Sequence, residues 1–293
     1  MIDPPAHARR LVYLGTPVES VPFLEALSRS GFDVVLVVTR PDKRRGRREE
    51  PAPSPVKAAA QSLGIPVSCE VDDVLAADAD LGVVVAFGQI IQPHVLARLA
   101  MVNVHFSLLP RWRGAAPVER AILAGDSTTG VCLMEVAEGL DAGRVYRRVP
   151  VPVAPGATAA SLRADLVGAG VPMLVDALRE GLGLPVPQQG EPVYAAKVTR
   201  EELRLDWSQS AESLHRRVRV GGAWTTWRGK LLKIWSASSV EGSQLPGELD
   251  GTVVGTGAGR LRLLEVQAEG KARQAAEHWI RGARPAEGDR LGS

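Results

Sequence analysis

The sequence predicts an α/β fold built on a doubly wound, mostly parallel sheet and followed by a small β-barrel. In the first half, residues 11–13, 33–39 and 81–87 are short, β-branched and apolar throughout, the pattern of strands covered on both faces. Amphipathic stretches separate them, so strand and helix alternate as in an open, doubly wound sheet. In the last third, short alternating runs separated by tight turns replace that pattern and point to an antiparallel barrel.

The elements follow in order. Helices are expected over residues 20–30 and 55–63, the second opening with Ser54 at the N-cap and Pro55 in the first turn. The first strand-to-helix turn, Leu14-Gly15-Thr16-Pro17, lacks the GxGxxG fingerprint, which argues against a nicotinamide or flavin enzyme. Prolines and glycines interrupt both periods over residues 183–192, so the chain is divided into domains at 1–185 and 206–293 with a linker at 186–205. Beyond it come a helix over residues 210–218, with Ser208 as its cap, and strands over 231–235, 251–254 and 260–266. The glycines at 255, 257 and 259 join two strand-like runs with no helix after them, which marks a hairpin turn rather than a phosphate loop.

Composition bounds the function. The 293 residues are 45% hydrophobic and 23% charged, enough for a real core, and no run approaches the roughly 20 apolar residues of a membrane span. Residues 1–10 carry no apolar signal region, so a cytoplasmic location with no membrane association is expected. Cys69 and Cys132 lie far apart without metal-ligand spacing and read as buried thiols. Net charge is only +2, but nine Lys or Arg face four Asp or Glu between Lys197 and Lys233. A second basic cluster holds Arg40, Lys43, Arg44, Arg45, Arg47 and Arg48. Two such surfaces on a nearly neutral chain suit a polyanion touched at two places.

The chemically dense stretch is 103–117, which follows the apolar run at 83–87. In a strand, Asn103 and His105 point to the same side and meet one substrate atom. Asp141, between Gly139 and Gly143, completes a set if its loop returns to the same end of the sheet. Asn, His and Asp together suit acyl transfer, with His handling protons and Asn stabilising an oxyanion. Each also has a plainer use, His as a hydrogen-bonded structural residue and Asp as a turn former. The five histidines show no ligand-like pairing, so no metal is expected, and Ser107 lacks a nucleophile elbow.

The run Asn103-Val-His105, then Ser107-Leu-Leu-Pro-Arg-Trp-Arg-Gly-Ala-Ala-Pro117, with Gly139-Leu-Asp141-Ala-Gly143, closely resembles the signature of the formyltetrahydrofolate-dependent formyltransferases. The likeness extends over Leu14 to Pro17, Thr39 to Asp42, Val85 to Gly88, Tyr194 to Lys197, Leu205 to Trp207 and Trp224 to Trp235. It implies a formyltransferase-type sheet domain and an OB-like, tRNA-binding second domain. It also implies 10-formyltetrahydrofolate as donor cosubstrate and initiator methionyl-tRNA as acceptor, in translation initiation, with no metal and no obligate protein partner. Asn103 would then hold the formyl oxygen, His105 move the proton, Asp141 orient or activate, and Ser107, Leu108, Leu109 and Pro110 line the folate site. The basic cluster resembles the family's tRNA-gripping insertion, and Trp224, Trp227, Arg228, Lys230 and Lys233 would serve the second domain's RNA contact, although both tryptophans also suit a barrel core. Phe106 and Ala142 stand where glycine and a hydroxyl residue are common, and Gly221-Gly-Ala-Trp224 replaces a more proline-rich version; none removes a catalytic group. Two other readings share these residues: transfer to a small amine such as an amino-sugar nucleotide, which needs no separated basic surfaces, and a non-catalytic RNA-binding protein, which the intact triplet opposes.

Overall fold

A computed structural model describes residues 2–5, 7–44, 50–286 and 288–292, and the chain falls into two compact units. The first gathers residues 1–117, 128–152 and 163–196. Its sheet begins with five parallel strands, β1 (Arg10–Gly15), β2 (Asp33–Val38), β3 (Val67–Ser68), β4 (Leu81–Val85) and β5 (Met101–His105). A short β6 (Arg111–Arg113) leaves the sheet to pair with β9 (Val193–Tyr194). Two antiparallel strands, β7 (Thr128–Glu135) and β8 (Val145–Pro152), extend the far edge, giving the order β3-β2-β1-β4-β5-β7-β8.

The doubly wound reading therefore holds. Strand order reverses between β1 and β4, which opens a crevice at the carboxyl ends of the parallel strands, where β5 delivers His105. Every residue of β4 is buried, because its leucine and three valines are covered on both faces. Helices α1 (Val21–Arg29), α2 (Pro55–Ser62), α3 (Pro93–Leu96), α4 (Pro117–Ala124) and α5 (Ala159–Glu180) complete the chain's first two-thirds. Ser54 caps α2 as expected, its hydroxyl accepting the Lys57 N–H at 3.0 Å. Of the two cysteines, Cys132 is buried as expected, while Cys69 is only half-buried at the sheet's short outer strand. No helix among the described residues is long and apolar enough to cross a membrane.

The second unit comprises residues 118–127, 153–162 and 197–293. After α6 (Ala211–Val220) come β10 (Trp224–Trp227), β11 (Lys230–Val240), β12 (Leu249–Asp250), β13 (Val253–Gly255), β14 (Arg260–Ala268) and β15 (Gln274–Ala275), closed by α7 (Ala276–Ala283). The strands form one antiparallel sheet, β10-β11-β14-β13-β12 with β15 beside β14, over a core that includes Trp207, Leu214, Ile234, Leu263 and Trp279. Gly255 pairs with Arg260 across β13 and β14, so the glycine-rich turn is a hairpin. The cap of α6 is Ser210, whose hydroxyl accepts the Ser213 N–H at 3.2 Å, and not Ser208. The Ser208 hydroxyl instead donates to Asp206 at 2.7 Å, a local bond two residues back that ends the preceding turn.

In this unit Arg120 of α4 donates to Glu202 at 2.6 Å, and the Thr199 N–H at 2.9 Å, which together hold the Glu202 carboxyl down to about 2. A depressed carboxylate stabilises above its unfolded value, near 4.5, and loses that contribution as pH falls toward 2. Glu202→Gln should therefore lower Tm at pH 7, with the gap from the parent constant down to about pH 4.5 and closing below it. A gap independent of pH would contradict this assignment.

Candidate active site

His105, last residue of β5, is 6% exposed, so its imidazole is held by the protein rather than by water. Its Nε2 lies 2.8 Å from the Trp112 carbonyl oxygen and its Nδ1 lies 3.6 Å from Asp141 Oδ2. A carbonyl only accepts, so Nε2 carries the proton and donates, leaving Nδ1 as the nitrogen free to gain one. Protonation at Nδ1 creates an imidazolium facing the Asp141 carboxylate, the partner that stabilises it. Asn103 stands two residues earlier on the same face of β5, half-buried, and its amide makes no hydrogen bond among the described residues. A donor free of internal partners beside a proton-accepting imidazole equips this strand end to stabilise an oxyanion while taking a proton.

The loop carrying Asp141 does return to the sheet end. The Gly114 N–H donates to Asp141 Oδ2 at 2.7 Å, and the Asp141 backbone adopts φ +46°, a left-handed conformation that non-glycine residues use sparingly. The Gln188 amide donates to the Asp141 carbonyl at 2.8 Å and to that of Gly143 at 2.7 Å. Its oxygen accepts from Arg113 Nε and Nη2 at 3.0 and 2.6 Å. Trp112, Arg113, Gly114 and Gln188 carried no signal for these roles in the sequence. At Gly114 φ is +117° and an added Cβ would stand 3.1 Å from the Ala195 carbonyl oxygen, so the position calls for glycine.

Beyond His105 the chain turns through Ser107 to Pro110. The Ser107 hydroxyl is fully buried and donates to the Arg111 carbonyl at 2.6 Å, while Leu109 packs with Cys132, Met134 and Val145. Leu108 and Pro110 keep partly exposed surface, so in this turn the alternate residues face outward. Cys132 pairs in register with His105, and burial pushes its thiol up, leaving it a protonated, apolar neighbour.

Of the basic cluster, Arg40, Lys43 and Arg44 are exposed, and no carboxylate among the described residues pairs with them; Arg45, Arg47 and Arg48 lie outside the described residues. The base of this loop is fastened by Lys43 pairing with Ala52, by Lys57 Nζ on Asp42 at 2.8 Å, and by a 2.8 Å hydroxyl bond between Thr39 and Ser54. In the second unit the Arg200 and Arg204 guanidiniums lie 5.0 and 5.5 Å from the Trp224 ring centre. Trp227 packs edge-on against Trp279 at 5.7 Å, beneath Arg228, which pairs with Asp289 at 2.6 Å. Trp227 thus serves the core, as one of its two expected uses. Lys230 is exposed at the start of β11, and Lys233 lies 6.0 Å from the exposed Trp235 ring.

A family model described as formyl transferase matches residues 9–178, and one described as formyl transferase, C-terminal domain, matches residues 197–284. A methionyl-tRNA formyltransferase from Magnetococcus marinus is 43% identical, covering 97% of this chain and 99% of the relative. One from Thiobacillus denitrificans is also 43% identical, covering 97% of this chain and all of the relative. Among solved structures, HypX from Aquifex aeolicus in complex with tetrahydrofolic acid shares the fold at a TM-score of 0.68 and 20% identity, over 97% of this chain and 48% of that one. An N-formyltransferase from Helicobacter canadensis, in complex with folinic acid and dTDP-3-aminofucose, shares it at 0.66 and 15%, over 89% and 99%.

Gly114 offers a direct check on the geometry. Gly114→Ala meets both an unfavourable φ and the Ala195 carbonyl, and should destabilise the chain by about 1–3 kcal/mol in denaturant unfolding. An unchanged midpoint would contradict the close approach.

Proposed function

This chain belongs to the formyl transferase family, and from that premise we propose that it transfers the formyl group of 10-formyltetrahydrofolate to the amino group of methionyl-initiator-tRNA, in the cytoplasm, for translation initiation. The full-length match to relatives named for that activity carries the reading. In it, residues 1–185 form the catalytic domain, 206–293 the tRNA-binding domain, and 186–205 the linker between them.

The chemistry follows from the strand end. The methionine amine attacks the formyl carbon, and a C–N bond forms as the carbonyl electrons move onto oxygen. Asn103, whose amide makes no hydrogen bond among the described residues, donates to that oxyanion. The ammonium proton passes to His105 Nδ1, and the resulting imidazolium is held beside Asp141. The bond from carbon to folate N10 then breaks, N10 takes up the proton, and tetrahydrofolate leaves. The acceptor brings its own nucleophile, so no covalent serine or cysteine machinery is called for. Donor binding falls to the turn Ser107 to Pro110, where Leu108 and Pro110 offer surface and Ser107 and Leu109 shape it from beneath. Arg40, Lys43 and Arg44, with Arg45, Arg47 and Arg48, would neutralise acceptor phosphates.

Purified protein should move labelled formyl from 10-formyltetrahydrofolate onto methionyl-initiator-tRNA. His105→Ala should lose about 10²–10⁴-fold in rate while tRNA binding persists. Label appearing only on an amino-sugar nucleotide offered in competition would overturn the acceptor. Independently, Arg40→Ala combined with Arg44→Ala should weaken tRNA binding and flatten the slope of log K against log salt by up to about two. An unchanged slope would remove this loop from the interface.

A further inference from the structure

Gln188 lies in a proline- and glycine-rich stretch, where an amide side chain is ordinarily left to solvent. Here its amide is committed at both ends: Nε2 donates to the carbonyls of Asp141 and Gly143 at 2.8 and 2.7 Å, and Oε1 accepts both Arg113 bonds. The stretch that bears it is itself fixed on either side. Val186 exchanges two backbone hydrogen bonds with Val145 at 2.8 and 2.9 Å, and the Ala195 N–H donates to the Arg113 carbonyl at 2.7 Å.

We propose that Gln188 is a positioning residue for formyl transfer, one that holds the Asp141 turn so that its carboxylate faces His105 Nδ1. The proposal rests on the reading that His105 and Asp141 take part in that reaction. Asp141 sits at φ +46°, a left-handed conformation that a non-glycine residue keeps only where the surroundings over-determine it. Two constraints do so from opposite ends of the residue: Gly114 N–H grips the carboxylate and Gln188 grips the main-chain carbonyl. Arg113 links them, since it neighbours Gly114 in the chain and donates to Gln188 from its side chain. Only an amide at position 188 supplies two donors toward Asp141 and Gly143 and one acceptor toward Arg113. A carboxylate of the same size keeps the Arg113 contact and loses both donors, and alanine loses all of them.

The test is a pair of variants, Gln188→Glu and Gln188→Ala, made in the full chain and again on an Asp141→Asn background. Gln188→Glu is isosteric and retains the Arg113 contact, so it serves if the alanine variant fails to fold. In the parent, either variant should lower kcat by about 10–100-fold while KM for donor and tRNA stays close to parental values. In the Asp141→Asn background the same change should alter kcat by no more than about twofold, because the residue it acts through is already disabled. The proposal is overturned if Asp141→Asn is impaired and the Gln188 effect persists there undiminished, or if both Gln188 variants keep parental kcat. Parental kcat in Asp141→Asn itself would instead bring down the catalytic reading beneath it, and the proposal with it.

Discussion

Three consecutive backbone positions, Trp112 to Gly114, decide how His105 and Asp141 stand toward each other. The Trp112 carbonyl accepts a hydrogen bond from His105 Nε2–H, and the Gly114 N–H donates to the Asp141 carboxylate. Between them the Arg113 side chain reaches Gln188, which holds the Asp141 main chain. Each contact is made by a fixed group of the backbone or by a side chain whose polar atoms are spoken for, so little conformational freedom is left to lose when substrates arrive. The left-handed conformations at Trp112, Gly114 and Asp141 follow from the same arrangement, since the segment must turn sharply to serve both residues.

This segment can act only because the sheet brings its partners near. β5 lies between a parallel half and an antiparallel edge, and its carboxyl end opens beside the point where strand order reverses. Asn103 and His105 share a face by the two-residue period of a strand, and His105 pairs across the sheet with the buried Cys132. Arg113 and Gln188 are drawn together by the small β6–β9 pair, which ties residues near the end of the first unit back to the segment that follows β5.

Much of this was legible in the sequence, for reasons that differ by residue. The apolar runs at β1, β2 and β4 marked themselves because both faces of the sheet are covered, and Ser54 because a serine before proline is a strong cap. The shared face of Asn103 and His105 followed from strand period alone. The cap of α6 was misplaced by two residues because Ser208 and Ser210 offer the same chemistry, and only Asp206 decides which is free. The helix α5 gave no expectation, since Gly168, Gly170 and Pro172 interrupt its apolar pattern while Gly170 admits the Phe23 ring. Gln188 was invisible for a deeper reason: its partners are main-chain carbonyls more than forty residues away, and no local pattern encodes where a loop returns.

The Trp112 carbonyl fixes the proton of neutral His105 on Nε2, leaving Nδ1 to receive one in front of Asp141. Nitrogen-15 NMR of the imidazole at high pH, assigned with a His105→Gln variant, reads this directly. The expected spectrum has a protonated, pyrrole-type Nε2 and an unprotonated, pyridine-type Nδ1. A neutral His105 carrying its proton on Nδ1 would contradict it, because the nitrogen facing Asp141 could then take no proton from the acceptor amine.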